Sequence, residues 1–166
     1  MTQLKRKLNY LLSPLTIVAL RIVTKLTGQQ RARVLLFNEL GEVLLMRGVV
    51  GRRQWSMPGG GIERHEKAVD GATRELYEET GIRVTADQLR YIATFQKPAV
   101  AIAYVAHVYT VTVAKNTLPN KLHNPVEVIE VAWHHPAHLP ENLSPLVRPA
   151  LANLLPNHNP FLYNPQ

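Results

Sequence analysis

The chain has 166 residues and a mass of 18.7 kDa, enough for one domain with a real apolar core. Hydrophobic residues make up 46% and charged residues 19%, which excludes wholesale disorder and collagen-like or coiled-coil architectures. There is no cysteine, so disulfides, thiolate zinc sites and a cysteine nucleophile are excluded, and any metal must be held by oxygen or imidazole.

The net charge of +7 is unevenly spread. Residues 1–33 carry seven basic groups (Lys5, Arg6, Lys7, Arg21, Lys25, Arg31 and Arg33) and no acidic one, so the rest of the chain is formally neutral. Six acids, Glu63, Glu66, Asp70, Glu75, Glu78 and Glu79, fall within 17 positions. The pattern is a basic N-terminal arm, residues 1–30, joined to a domain over 31–155 and a Pro-rich tail over 156–166.

In the arm, Leu4, Leu8, Leu11, Leu12 and Leu15, then Val18, Ile22 and Leu26, recur at helical spacing, with a break at Ser13-Pro14. The uncharged run from Leu8 to Leu20 lacks a small-residue cleavage site after it and is too short to span a bilayer of ~30 Å. Two readings of this amphipathic helical arm stay open. Its stripe packs on the domain or on a second copy in a homodimer, or residues 1–28 lie on an anionic membrane surface. No aromatic residues interleave the basic ones, which argues against nucleic acid as a partner. With no cysteine and no credible export signal, the expected location is the cytoplasm or the membrane periphery.

Arg31–Phe37 and Glu42–Met46 read as two strands joined by Asn38-Glu39-Leu40-Gly41, a hairpin. Residues 47–61 read as a loop rich in glycine and arginine that ends in Pro58-Gly59-Gly60-Gly61. A helix is expected from about Glu66 to Thr80, with Val69, Ala72, Thr73 and Leu76 facing inward and Gly81 as its stop. Strands are expected near 82–84, 90–96, 99–113 and from Glu127 to Trp133, followed by a short helix around Leu146–Leu155.

On the first helix Glu75 stands three residues before Glu78 and four before Glu79, so the three carboxylates share one face and repel. A cation would relieve that repulsion. With oxygen donors only, a hard ion such as Mg²⁺ or Mn²⁺ is the natural choice. Taken alone, three glutamates read equally well as a solvated acidic face.

The wider pattern decides between these. Gly60, five residues, Glu66, seven residues, then Arg74-Glu75-Leu76-Tyr77-Glu78-Glu79-Thr80-Gly81-Ile82 resembles, position for position, the box of the Nudix hydrolase family. Seven fixed letters at ~6% each match by chance on the order of 10⁻⁹ per start. The resemblance covers about residues 31–139, with Trp55 through Glu63 as a lead-in. It implies an α/β/α sandwich with a mixed β-sheet and a metal-dependent pyrophosphohydrolase. The substrate class would be a nucleoside diphosphate linked to another moiety: a nucleoside triphosphate, ADP-ribose or a nucleotide sugar. It also implies that Glu75, Glu78 and Glu79, with the backbone at Gly59, hold the metal, that Glu66 supports them, and that Arg74 orients the catalytic glutamates. Relatives often carry a catalytic glutamate before a tryptophan such as Trp133, which makes Glu127 the preferred base beside Glu78. A catalytically silent nucleotide-sensing or membrane-tethered binding module is the alternative.

His65 stands where relatives commonly carry glycine. Arg47, Arg52 and Arg53 could meet substrate phosphates or be solvated loop arginines. Trp55 and Phe95 could stack on a base or belong to the core. Pro98 falls near a proline of ADP-ribose-cleaving relatives, a weak pointer. His134, His135 and His138 are split by Pro136 and lack metal-ligand spacing.

Overall fold

A computed structural model describes residues 30–49, 53–97, 104–117 and 122–154 of the chain. The arm up to Gln29, Arg52, Pro98 and the Pro-rich tail lie outside the described residues.

β1 (Gln30–Asn38) is the central strand. From Val34 onward every residue of it is buried, as expected of a strand covered on both faces. It runs parallel to β5 (Tyr104–Val113), from Gln30 opposite Val105 to Asn38 opposite Val113. β4 (Arg90–Lys97) pairs antiparallel with β5. On the other side the chain turns back at Asn38, whose side-chain oxygen accepts from the N–H groups of Leu40 and Glu42 at 2.9 and 3.0 Å. β2 (Val43–Gly48) meets β1 where Phe37 faces Val43, and then pairs with β3 (Trp55–Ser56) and, antiparallel, with β6 (Val128–His134). The sheet is mixed, as the family resemblance implies.

After that first contact, β1 takes its hydrogen bonds from the glycine-rich segment. Val34 N–H donates to Pro58 O (2.9 Å), Ala32 N–H to Gly60 O (3.0 Å), and Ile62 N–H to Gln30 O (3.1 Å). The loop expected over 47–61 therefore ends as a strip of backbone laid along the central strand.

The alternation of β1 divides the core. Ala32, Val34 and Leu36 pack with Leu44, Tyr109, Val111 and with Ala72 and Leu76 of α1 (Ala68–Thr80). Leu35 and Phe37 face the other way, onto Val43, Leu45, Ala106, Val108 and Val147, Ala150 and Leu151 of α2 (Val147–Ala152). One helix on each face makes the α/β/α sandwich. No described helix is long and apolar enough to cross a membrane.

Two expectations are corrected. The helix begins at Ala68 rather than near Glu66: Lys67 is extended and the Glu66 carboxylate turns back to the N–H of Glu63 at 2.8 Å. Residues 82–84 form no strand. Gly81, at φ 76°, donates its N–H to Tyr77 O (2.8 Å) and reverses the chain, so Ile82 and Val84 enter the α1-side core as side chains and not as ladder members.

Leu76 has no solvent-exposed surface and joins α1 to β1. Leu76→Ala is expected to lower unfolding free energy by about 2–5 kcal/mol, read as a shift in the urea midpoint at unchanged slope.

Candidate functional site

The box residues form one connected assembly. Arg74, on α1, sends Nε and Nη2 to the two oxygens of Glu66, both at 2.8 Å. Such a two-pronged guanidinium–carboxylate pair is the stronger and more directional kind of charged hydrogen bond. The same guanidinium reaches Glu75 Oε1 (2.9 Å) and the carbonyl of Gly61 (2.9 Å), and lies 3.6 Å from Glu78 Oε2. The Arg74 pair, joined by the Glu63 N–H, holds the Glu66 carboxyl below the usual carboxylate range against the opposing effect of burial. Bonding to Glu66 and then to Glu75 moves the Arg74 pKa upward.

Glu75 and Glu79 are buried, at 1% and 8% exposure, whereas the Glu78 side chain is 43% exposed. Burying two carboxylates four residues apart is costly unless cations and donors face them. Glu79 Oε2 accepts the N–H of Gly59 at 2.7 Å. Glu75 lies beneath Gly60, where a Cβ would stand 2.5 Å from its carboxyl carbon. Gly59 itself has φ 131°, and a Cβ there would sit 2.2 Å from the Ala32 carbonyl oxygen, so only glycine fits.

The other side of Gly59 is held by a residue that sequence reading placed on the first strand but gave no part in the site. Arg33 Nη1 donates to the carbonyls of Met57 (3.2 Å) and of Gly59. Arg31 lies with its guanidinium 4.7 Å from the Tyr104 ring centre; burial lowers its pKa, while Tyr104 and Glu75 oppose that shift. Both arginines are on β1 and belong to the domain. Strand parity is the signal that could have pointed to their inward role: Arg31 and Arg33 share one face with Leu35 and Phe37.

The proposed substrate contacts lie elsewhere. Arg47 and Trp55 are opposite each other across β2 and β3, on the α2 side of the sheet. The Arg47 guanidinium lies 5.0 Å from the Trp55 ring centre and is ion-paired to Glu130, while Trp55 meets His134 edge-on at 4.7 Å. Burial pushes the His134 imidazole pKa down. Arg53 is exposed in a left-handed turn at φ 54°, and Phe95 packs against the α2-side core. Glu127 sits in the turn before β6, its carbonyl accepting from Val49 N–H at 2.9 Å. His65 adopts φ 69°, the backbone conformation that glycine takes most easily.

Among the described residues no three His, Asp or Glu side chains close into a ready-made metal cage. The donor set nevertheless suits a hard divalent cation. It is all oxygen, two of its carboxylates are buried, and the absence of a side chain at Gly60 lets the Glu75 carboxylate lie directly against the backbone strip. Glu78 is the exposed member of the three, 3.6 Å from the Arg74 guanidinium.

Residues 28–157 match the family model described as the NUDIX domain. Among curated proteins, the RNA pyrophosphohydrolase of Bartonella henselae is 39% identical over 74 residues, 37% of this chain and 40% of that protein. That of Azorhizobium caulinodans is 43% identical over 54 residues, 29% of this chain and 32% of that protein. The chain thus spans less than half the length of these relatives. Among solved structures, a MutT NUDIX hydrolase from Burkholderia pseudomallei superposes with a TM-score of 0.66 at 20% identity, covering 76% of this chain and 98% of the other. The MutT protein of Methanosarcina mazei Go1 gives 0.62 at 24% identity, covering 74% and 89%. These two show a shared fold.

The lowered Glu66 pKa has a fixed sign in stability. Its contribution is complete above the carboxylate range of the unfolded chain and is lost as pH falls through the folded value. Wild type is therefore expected to exceed Glu66→Gln in denaturation midpoint at pH 7, with the gap shrinking steadily on acidification below about pH 4.5.

Proposed function

Given that the chain belongs to the NUDIX domain family, as the match over residues 28–157 shows, we propose that it is a divalent-metal-dependent pyrophosphohydrolase. Its substrate would be a nucleoside diphosphate linked to another moiety: a nucleoside triphosphate, ADP-ribose or a nucleotide sugar. The observation that carries this reading is the burial of Glu75 and Glu79 beside Glu78 against a backbone strip that has no side chains. Carboxylates crowded on one helix face beside bare backbone offer the all-oxygen donor set that a hard divalent cation takes.

Glu75, Glu78 and Glu79 are assigned as the holders of Mg²⁺ or Mn²⁺. One lone pair of the Gly59 carbonyl is taken by Arg33 and the other is assigned to the ion. The ion when bound offsets charge on the pyrophosphate and lowers the pKa of a coordinated water. Glu66 fixes Arg74, and Arg74 fixes Glu75 and limits the swing of Glu78. Glu127 is assigned to accept the proton of the attacking water. Arg52 and Arg53 are assigned to the substrate phosphates. Arg47 and Trp55 form a paired wall in which the arginine is already balanced by Glu130. The all-oxygen, cysteine-free chemistry suits a cytoplasmic setting.

The printed name of the curated relatives favours a second substrate, an RNA whose end carries a phosphoanhydride. Both substrates require the same carboxylate face. They differ in whether the product is a mononucleotide or a shortened 5′ end on a polymer.

Incubation with Mg²⁺ and then Mn²⁺ against a panel of nucleoside triphosphates, ADP-ribose, sugar nucleotides and 5′-triphosphorylated RNA, with products identified by mass, tests the proposal. Turnover of at least one member is expected. Glu78→Gln should then lower kcat by about 100-fold or more with an unchanged melting temperature. Metal binding without turnover of any member would favour the silent binding module, and a fully active Glu78→Gln would remove the metal assignment.

A further inference from the structure

We propose that Arg33 is a positioning residue for the metal face, acting on Glu79 through the backbone of Gly59. The inference rests on reading the α1 carboxylates as a cation site. The strip from Met57 to Gly60 runs along β1 and presents alternate carbonyls to it: Pro58 O and Gly60 O accept from Val34 and Ala32 N–H. The carbonyls of Met57 and Gly59 point elsewhere, and Arg33 takes both with Nη1. Its guanidinium thus brackets the Pro58-Gly59 pair. The N–H of that same Gly59 is the donor to Glu79 Oε2 at 2.7 Å.

Gly59 has the freest backbone in the strip, since its φ of 131° lies in a region open to glycine. The Gly59 N–H shares a planar peptide with the Pro58 carbonyl, which Val34 N–H holds, and that plane keeps its tilt only if the peptides on either side of it are fixed as well. Arg33 fixes those two flanking peptides through the Met57 and Gly59 carbonyls, and Glu79 reads the result at the Gly59 N–H. The half-buried Arg33 side chain leaves β1 on the face that carries Leu35 and Phe37, away from α1, and its guanidinium donates to two backbone carbonyls. That placement fits a backbone clamp and not a counter-ion.

The sign of the effect distinguishes the two roles. Removing a positive charge near a cation site strengthens cation binding by Coulomb's law, whereas losing the clamp weakens it. Mn²⁺ alone is the probe, with free ion followed by electron paramagnetic resonance on the full chain. Arg33→Met is expected to weaken Mn²⁺ binding about tenfold, and Arg33→Lys to restore part of it, since an ammonium reaches one carbonyl but lacks the planar fork. In a Glu79→Gln background the same Arg33→Met change should add little further loss, because the ligand it aims is gone. Thr110→Val, which removes a buried hydroxyl bonded to Leu35 O at 2.9 Å, controls for destabilisation: it should lower the melting temperature and leave Mn²⁺ affinity intact.

Unchanged or tighter binding in Arg33→Met, or an equal loss with and without Glu79, overturns the role of Arg33 while leaving the cation site standing. Failure of the wild type to bind Mn²⁺ overturns the cation site and the clamp together.

Discussion

The carboxylate face depends on the backbone of residues 58–62 lying flat along β1. Three hydrogen bonds between main-chain groups set its height above the strand, and at that height there is room for no side chain at positions 59 and 60. The space denied to a Cβ is occupied by the Ala32 carbonyl on one side and by the Glu75 carboxylate on the other. Two acidic side chains four residues apart on α1 can therefore be buried against polar backbone and not against apolar side chains. Any larger residue would lift the strip, expose Glu75 and take the Gly59 N–H away from Glu79.

Charge is distributed so that one arginine ties the acids of the assembly together. Arg74 is divided among Glu66, Glu75 and Glu78, and its two-pronged grip is given to Glu66, the acid outside the triplet. The stronger bond thus fixes the arginine, and through it the weaker contacts hold Glu75 and Glu78 in place. Arg33 and Arg31 approach from β1 on the far side of the strip, the first bound to carbonyls and the second beside the Tyr104 ring. Positive charge therefore braces the face from α1 and from β1 alike.

Local patterns in the chain carried the fold a long way, and their limits are physical. The spacing of Glu75, Glu78 and Glu79 predicts a shared face because a helix brings i, i+3 and i+4 together with no outside help. The hairpin at Asn38-Glu39-Leu40-Gly41 is equally local, since one asparagine side chain supplies its bonds. Arg33 was hidden because its partners are 24 and 26 residues away, and a run of basic residues with no acids looks continuous in one dimension. Ile82 and Val84 misled for the reverse reason. Apolar residues at alternate positions mark burial, and burial as core plugs beside α1 leaves the same trace as a strand. The pairing of Arg47 with Glu130, 83 residues apart, needed the β2–β6 register that no local signal contains.

The central proposal is that the α1 carboxylates bind a divalent cation. Thermal unfolding of the full chain against MgCl₂, with NaCl matched for ionic strength, tests it most directly. A ligand that binds only the folded state raises the melting temperature with the logarithm of its concentration. The account predicts a rise of roughly 3–6 °C at ten times the dissociation constant, growing further with each decade. A melting temperature that follows ionic strength alone, and is the same in Mg²⁺ as in Na⁺, would contradict it.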